Sequence, residues 1–212
     1  MAIGLEKASG MLRKTLIPYL LLAAALIGGL LWHQSQRVPG LGRVVSSGQA
    51  DVGGPFRLTD QNGKTVTDTD FRGRYMLIFF GYSFCPDICP TTMGVAAQAL
   101  ETLGGRANRV VPIFITTDPE RDTPQVLGEY MKAFGPNFIG LTGSPAAIQE
   151  VGKKFRVYAV KKPLDPAKGL AGGYSVDHSS VLYLMGPDGK LVSFYDGPVS
   201  PDDLAKDLQK KL

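Results

Sequence analysis

The hydrophobic pattern begins with one long apolar run near the N-terminus. This run covers residues 15–32 and contains no charged side chain. About 18 residues at a rise of ~1.5 Å per residue span ~27 Å, which matches the hydrocarbon core of a bilayer. Lys7, Arg13 and Lys14 precede the run. The positive-inside rule therefore predicts that residues 1–14 are cytoplasmic and that the chain after the run is exported.

A cleaved signal peptide is the alternative, and the small residues argue against it. The A-x-A triplet at residues 23–25 lies inside the apolar run, whereas a cleavage site follows such a run. The leader is also too short and too poor in arginine and serine for a mitochondrial transit peptide. We predict an uncleaved single-pass transmembrane anchor at residues 15–32 of a bacterial inner membrane, with the following domain in the periplasm. Residues 33–50, which are polar and contain several glycines, are predicted to be a flexible linker.

From residue 51 onward, short apolar runs alternate with amphipathic segments. Two alternating runs at residues 56–59 and 64–67 flank an Asn-Gly pair, which predicts a hairpin. Apolar strands separated by helices then predict an α/β domain at residues 51–212, with a mixed sheet and helices on both faces. The predicted strands are residues 74–82, 109–116, 138–141, 157–160, 181–185 and 191–195, and the predicted helices follow residues 90, 123, 144 and 200. Residues 161–174, rich in lysine, proline and glycine, are predicted to be irregular or a poorly ordered hairpin.

Composition and charge exclude several classes of protein. The formal net charge is +4 and is spread along the chain, without a block of basic residues interleaved with aromatic ones. Nucleic acid is therefore not an expected partner. The sequence contains neither a P-loop nor a dinucleotide-binding fingerprint, which argues against a nucleotide-dependent enzyme. Two cysteines are too few for a disulfide scaffold.

The two cysteines, Cys85 and Cys89, lie where the strand predicted at residues 74–82 passes into a helix. Sites in α/β folds form at such strand ends. The helix N-terminus favours negative charge, so we expect these thiols to ionise more readily than a free cysteine. On one helical turn, their Cβ atoms would lie ~6 Å apart, which suits two ligands of one soft ion. A disulfide needs ~4 Å and a modest local adjustment. Pro86 and Pro90 favour a functional pair over inert core residues.

His178 completes a candidate metal site. It precedes the strand predicted at residues 181–185 and is the only histidine of the exported domain. Among metals, thiolate ligands select Cu(I) and zinc. A structural zinc site takes four protein ligands, and residues 51–212 offer no fourth cysteine or histidine. Three ligands favour a copper ion that is both accepted and released. A lone histidine is otherwise usually a surface or core residue, and we interpret His33 in that way.

Longer motifs accompany these three residues. They are C-P-D-I-C-P at residues 85–90, T-D-P-E-R-D-T-P at 117–124 and D-H-S at 177–179, with shorter matches at 54–60, 138–143 and 183–189. Together they resemble the Sco/SenC family, copper proteins that help to assemble cytochrome c oxidase, over most of residues 54–212. The resemblance implies a thioredoxin-like fold with residues 161–174 as a family-specific insertion. It also implies copper on Cys85, Cys89 and His178, as Cu(I) with Cu(II) as the second oxidation state. Phe84 stands where some members carry a histidine that is not one of the three ligands.

Two functions follow as hypotheses. The first is a membrane-anchored copper chaperone that receives copper from a periplasmic donor and delivers it to the oxidase subunit carrying the CuA site. The second is a thiol–disulfide oxidoreductase, with Cys85 and Cys89 as its redox-active catalytic residues, which is recharged by a thiol reductant and keeps the cysteines of that subunit reduced. The C-x-x-x-C spacing argues against a general thioredoxin role, and a metallochaperone is favoured over an enzyme.

A peroxiredoxin-like peroxidase is a weaker third hypothesis, because no activating arginine and threonine motif surrounds one cysteine. The acidic residues near the site are interpreted mainly as helix caps and loop ion pairs. Docking of the partner, or tuning of the thiols, is the second interpretation for Asp87, Asp118, Glu120 and Asp122. Either Asp122 or Thr123 is expected to cap the helix that follows.

Overall fold

The computed structural model of the protein describes residues 27–28, 43–45, 51–164 and 173–212. Residues 27–28 are helical. The rest of the predicted transmembrane segment, and the predicted linker apart from residues 43–45, lie outside the described residues. Within the described ranges, no helix combines the length and the apolar character that crossing a membrane requires.

The described chain from residue 43 onward contains ten strands and four α-helices. The strands are β1 (Arg43–Val45), β2 (Arg57–Asp60), β3 (Thr65–Thr67), β4 (Tyr75–Gly81), β5 (Val110–Thr116), β6 (Ile139–Thr142), β7 (Ala159–Pro163), β8 (Tyr174–His178), β9 (Val181–Met185) and β10 (Leu191–Asp196). The helices are α1 (Ile88–Leu103), α2 (Pro124–Lys132), α3 (Pro145–Lys154) and α4 (Pro201–Lys211). Shorter 3-10 segments lie at Asp68–Phe71 and Gly104–Arg109.

Eight strands form one mixed sheet in the order β1-β10-β9-β4-β5-β6-β2-β3. Its centre is the parallel trio β4, β5 and β6, and the strands on either side run antiparallel to their neighbours. Every residue of β5 and all but the first of β4 are buried, as continuous apolar runs predict for central strands. The N-terminal hairpin of β2 and β3 is also confirmed.

Helices cover both faces of the sheet, which confirms the predicted architecture. Because side chains alternate along a strand, β4 directs Leu77 and Phe79 to one face and Ile78 and Phe80 to the other. The first face packs against α1, α2 and α4, and the second packs against α3 and the 3-10 segment at Asp68–Phe71. Three helices begin with a serine or threonine cap followed by proline, at Thr123, Ser144 and Ser200.

The main departure from the prediction lies between residues 157 and 178. The strand predicted at residues 157–160 is shifted to β7, and the hairpin that was the alternative for residues 161–174 is the one that forms. Strands β7 and β8 pair antiparallel as a separate two-stranded sheet, with Ala159 opposite His178. We call this pair the histidine hairpin. Residues 165–172, at its tip, lie outside the described residues. The apolar pattern did not give the bounds of these strands, because all of β7 is exposed and only Val176 of β8 is buried. His178 therefore ends a strand and does not lie in a loop.

A smaller departure concerns the segment that was predicted to be a linker. Three of its residues, Arg43–Val45, form the edge strand β1. This strand pairs antiparallel with β10, with Arg43 opposite Asp196 and Val45 opposite Phe194. The sheet therefore begins before residue 51, where the sequence pattern placed the start of the domain.

Candidate metal centre

Both cysteines lie beyond the carboxyl end of β4. Cys85 belongs to the turn after this strand, where its backbone N–H donates to the carbonyl of Tyr82 at 3.1 Å. Cys89 is the second residue of α1, which begins at Ile88 and not at residue 91 as predicted. The two cysteines therefore do not share a helical turn. Cys89 is fully buried, whereas Cys85 is partly exposed, so the pair has one side in the core and one side open to solvent.

The topology of the sheet brings His178 to the same edge. Strand β9 follows the histidine hairpin and runs antiparallel to β4, with Leu182 opposite Phe79. The start of β9 thus lies beside the end of β4. His178 Nε2 is 3.2 Å from Cys89 Sγ, and the donor atoms of His178, Cys85 and Cys89 all lie within 4.8 Å of one another. The structure therefore brings together the three residues that the sequence analysis selected.

Hydrogen bonding and ring packing orient the His178 imidazole. Its Nδ1–H donates to the carbonyl of Ser179 at 2.9 Å, which leaves Nε2 unprotonated and directed at Cys89. Tyr82 and Phe79 pack edge-on against the imidazole, with ring centroids 5.7 and 6.1 Å away. Burial lowers the pKa of His178, and the Ser179 carbonyl opposes this shift. A neutral imidazole with one nitrogen fixed by a backbone carbonyl is the usual form of a metal-ligating histidine.

The thiol of Cys89 does not behave as its position near a helix N-terminus predicted. Burial raises the pKa of Cys89 well above its ordinary value, although a backbone hydrogen bond from Tyr82 opposes the shift. The prediction of easy ionisation is wrong for this cysteine, because the cost of desolvating the thiolate outweighs its stabilisation by the helix N-terminus. A thiolate in such a place needs a neighbouring cation, and a bound metal ion supplies that charge as it displaces the proton.

Gly81 makes room for the Cys89 sulfur, a role that was not predicted from the sequence. A Cβ at this position would lie 2.7 Å from Cys89 Sγ, and 2.9 and 3.0 Å from ring atoms of Phe79 and Phe114. These separations are shorter than packed side chains allow, so a larger residue would displace the sulfur. The available signal was a glycine that ends an apolar strand four residues before Cys85.

The acidic loop after β5 also differs from its interpretation. Asp118 and Asp122 are fully buried, so neither is a solvated loop residue. The cap of α2 is Thr123, whose hydroxyl accepts from a backbone N–H. Two of the expected ion pairs do form: Glu120 lies 2.6 Å from Lys161 Nζ, and Asp118 pairs with Arg121 within the loop.

Asp122 fixes the start of the cysteine loop. Its carboxylate accepts hydrogen bonds from the backbone N–H of Ser83 at 3.0 Å, from the Ser83 hydroxyl, and from the Thr116 hydroxyl at 2.6 Å. Burial raises the pKa of Asp122, and these hydrogen bonds oppose the shift. The carboxylate therefore joins the end of β5 to the segment that carries Cys85.

The open side of the cluster is mostly apolar. Phe84 is 57% exposed and Ile88 is 37% exposed, and Pro86 is exposed between them. Asp87 is the acidic residue of this rim and accepts from the Thr91 hydroxyl at 3.5 Å. The rim presents Cys85 on a surface suited to contact with another protein.

Comparison with known proteins gives a consistent result. A model of the SCO1/SenC family matches residues 44–212. The chain is 41% identical over 194 residues to protein sco1 of Schizosaccharomyces pombe, covering 88% of this chain and 73% of that protein. It superposes on Bradyrhizobium japonicum ScoI with copper bound at a TM-score of 0.69 and 45% identity, covering 76% of this chain and 99% of that one.

A further solved structure is that of BsSco, a member of the Sco family of cytochrome c oxidase assembly proteins in which a disulfide switch was identified. It matches at a TM-score of 0.60 and 29% identity, covering 77% of this chain and 95% of that one. These similarities confirm the predicted thioredoxin-like α/β fold.

Proposed function

Because the chain belongs to the SCO1/SenC family, we propose that it carries copper and delivers it to cytochrome c oxidase during assembly of the oxidase. Copper is the ion of this site, and Cys85, Cys89 and His178 are its ligands. The observation that carries the proposal is the cluster of two sulfurs and one imidazole nitrogen within 4.8 Å of one another.

The chemistry of the donors fits copper. Two thiolates and a neutral imidazole are soft and borderline ligands, which copper prefers over the oxygen ligands of hard cations. Among the described residues, the cluster contains no fourth cysteine, histidine or carboxylate. A structural zinc site closes with four protein ligands. A three-donor site beside an exposed rim suits an ion that is passed on to another protein.

The destination and the location of the protein belong to the same proposal. The receiving protein is the oxidase subunit that carries the CuA site, and a periplasmic donor loads the copper. The apolar run at residues 15–32, preceded by basic residues, supports a single-pass anchor in a bacterial inner membrane with the copper domain in the periplasm. An anchored carrier stays close to a membrane-bound oxidase.

A copper titration tests the binding step. The full chain, reduced and kept in detergent, is titrated with Cu(I) against a competing chelator. We expect one tight equivalent, a loss of ~10-fold or more in affinity for His178→Ala, since even supporting residues of metal sites are worth that much, and no tight binding for the double variant Cys85→Ser/Cys89→Ser. His33→Ala, at the other histidine of the chain, is the matched control and should bind as the parent does. Tight binding that is indifferent to His178 would contradict the proposed site.

A transfer experiment tests the delivery step. The copper-loaded chain is mixed with a purified, reduced CuA domain, and the metal content of each protein is measured after separation. We expect copper to move to the CuA domain. Retention of all copper on the carrier under these conditions would contradict delivery, even if the site binds copper tightly.

The second candidate function is reduction of the CuA cysteines. The sulfurs of Cys85 and Cys89 lie within 4.8 Å of each other as free thiols, and BsSco shows that a relative undergoes a disulfide switch. In this reaction the dithiol becomes a disulfide, and its two electrons and two protons reduce the disulfide of the partner. Metal-free protein should then reduce an oxidised CuA domain. Cys85→Ser should abolish that activity, while His178→Ala should leave it intact and weaken copper binding.

A further inference from the structure

The histidine hairpin needs support from outside its own two strands. It lies outside the main sheet, every residue of β7 is exposed, and Val176 is the only buried residue of β8. Its strand β8 runs from Tyr174 to His178, so a shift of that strand would move the His178 imidazole away from Cys89. A two-stranded hairpin is marginally stable in water when nothing packs against it. Contacts at the start of β8 therefore bear directly on the position of His178 at its end.

Tyr174 makes these contacts with the loop after β5. Its hydroxyl donates to the Asp118 carboxylate at 2.8 Å, and its backbone carbonyl accepts from Arg121 Nη1 at 3.0 Å. The Arg121 guanidinium also lies over the Tyr174 ring, 3.9 Å from its centroid. Arg121 Nε donates to Asp118 and closes the triangle. We call Asp118, Arg121 and Tyr174 the hairpin clamp.

Asp118 connects the hairpin clamp to the end of the central strand β5. Asp118 is fully buried, and its backbone N–H donates to the Thr116 hydroxyl at 2.9 Å. The same hydroxyl donates to the Asp122 carboxylate at 2.6 Å, and Asp122 holds Ser83 in the cysteine loop. Thr116 ends β5, a central strand of the sheet. One short loop is thus bonded to both segments that carry the ligands.

Other contacts between the hairpin and this loop are weaker. Lys161 on β7 pairs with Glu120 at 2.6 Å and lies 3.9 Å from Asp118. The Lys161 and Glu120 side chains are 41% and 60% exposed. Exposed ion pairs contribute little because water and salt screen them. The buried carboxylate and the stacked guanidinium of the hairpin clamp have the better geometry for holding a strand in place.

We propose that Asp118, Arg121 and Tyr174 are positioning residues that place His178 at the copper site. They act through the hairpin and do not contact the ion. The inference rests on the proposed function, since it takes His178 to be a copper ligand. It assigns a role to the motif at residues 117–124 beyond that of a loop between a strand and a helix.

A double-mutant cycle on Cu(I) affinity tests the proposal. Tyr174→Phe keeps the ring and removes the hydroxyl that reaches Asp118. We expect it to weaken Cu(I) binding by ~10-fold in the full chain, at the lower end of what residues supporting a metal ligand contribute. In a His178→Ala background the same substitution should have no further effect, because the ligand that Tyr174 positions is absent. Cu(II)-loaded Tyr174→Phe should also show weaker nitrogen hyperfine coupling in its electron paramagnetic resonance spectrum.

Arg121→Lys is the second variant. It keeps a positive charge beside Asp118 but lacks the forked donors that reach both the carboxylate and the Tyr174 carbonyl. It should weaken Cu(I) binding more in the parent background than in the His178→Ala background. In the latter, only its contacts with the Phe84 and Tyr82 rings, 5.0 and 5.6 Å from the guanidinium carbon, can still act on the cysteine loop. The matched control is Tyr195→Phe, which removes a hydroxyl that donates to Asp207 at 2.7 Å, with neither residue in the donor cluster. This control should leave Cu(I) affinity unchanged.

The outcomes separate this inference from the function on which it rests. If His178→Ala weakens binding while Tyr174→Phe and Arg121→Lys bind as the parent does, the hairpin clamp has no positioning role and the copper function stands. Equal weakening with and without His178 would also overturn the inference, because the clamp would then act on the fold as a whole. If His178→Ala itself binds as tightly as the parent, the proposed function fails first.

Discussion

The two halves of the metal centre are held in place by different means. Cys89 follows β4, a seven-residue strand that pairs along its whole length with β5 and is buried from Met76 to Gly81. His178 ends a hairpin of two five-residue strands whose outer strand is exposed throughout. Extensive apolar burial therefore fixes the strand before the cysteines, with Asp122 holding the loop between them. The histidine half depends on one buried apolar residue, Val176, and on a few polar and aromatic contacts.

This difference matters because local stability follows local packing. Segments with few buried apolar contacts open at a lower free energy than the core. The histidine hairpin is expected to open while β4, β5 and α1 remain folded. A carrier needs a site that keeps its thiols in place and still releases its ion, and a loosely held third ligand beside a rigid pair meets that need. The following changes test this division.

Gly81→Ala should have the largest effect, because it strains the rigid half. The added methyl group would lie 2.7 Å from Cys89 Sγ and 2.9 Å from a Phe79 ring atom. Overpacking of a tight core costs about 1–3 kcal/mol in unfolding free energy, and displacement of the sulfur should weaken Cu(I) binding as well. Denaturant unfolding and the Cu(I) titration measure the two effects. Gly63→Ala is not a suitable control because of its positive φ, whereas Gly94→Ala on α1 has open space and should lose neither stability nor affinity.

Tyr183→Phe tests the root of the histidine hairpin. The Tyr183 hydroxyl donates to the carbonyl of Phe155 at 3.0 Å, which ties the segment before β7 to the strand after β8. Burial raises the pKa of Tyr183 from 10.0 to about 12. The neutral hydroxyl thus contributes stability that is fully present below pH 10 and is lost as the pH rises through 12. This contribution is about 3 kcal/mol.

Unfolding free energies measured from pH 8 to pH 12 check this prediction. The parent should lose more stability than Tyr183→Phe over the upper part of the range, so that the two curves converge. Curves that stay parallel up to pH 12 would show that this hydroxyl does not titrate at a raised pKa in the folded state.

Ser179→Ala should affect only the histidine half, and its effect on stability should be smaller than that of the two preceding variants. The Ser179 hydroxyl accepts from the backbone N–H of Tyr158 at 3.0 Å, which closes the base of the hairpin. Its loss should lower the free energy of local opening by about 1 kcal/mol. Amide hydrogen exchange in β8 should accelerate by ~5-fold, the equivalent of that energy, while exchange in β4 should not change. Ser144→Ala removes a helix cap of similar strength on α3 and serves as the control. Equal acceleration in β4 and β8 would show that the hairpin does not open separately.

The sequence predicted the elements around the cysteine half of the metal centre better than those around the histidine half. Central strands such as β4 and β5 have continuous apolar runs, so their existence and position follow from burial alone. The C-x-x-x-C motif then falls at a strand end, where sites form in this class of fold. The hairpin strands carry lysines and exposed residues, so no apolar period marks them. Their bounds follow from the backbone pairing of β7 with β8, which the sequence pattern does not show.

The buried acids show a second limit. Asp118 and Asp122 lie in a polar loop, where carboxylates usually cap helices or face water. The partners that give these acids their role at the site are far away in sequence, because Ser83 is 39 residues from Asp122 and Tyr174 is 56 residues from Asp118. A single sequence does not specify such pairs. Gly81 is different, because the sequence itself shows a glycine at the end of an apolar run, four residues before Cys85.

Tyr130→Phe should have the smallest effect, and it tests the apolar character of the cysteine half. The Tyr130 hydroxyl is buried without a hydrogen-bond partner among the described residues, while its ring packs edge-on against Phe114 and Phe134 at 5.4 and 5.1 Å. Burial is the main cause of its raised pKa. Removing an unpaired buried hydroxyl keeps the ring contacts and removes a desolvation cost, so stability should stay constant or rise by up to about 1 kcal/mol. Thermal unfolding measures the change, and Cu(I) affinity should equal that of the parent. A loss of stability would mean that a bound water pairs with the hydroxyl, so that the hydroxyl is not an unpaired buried group.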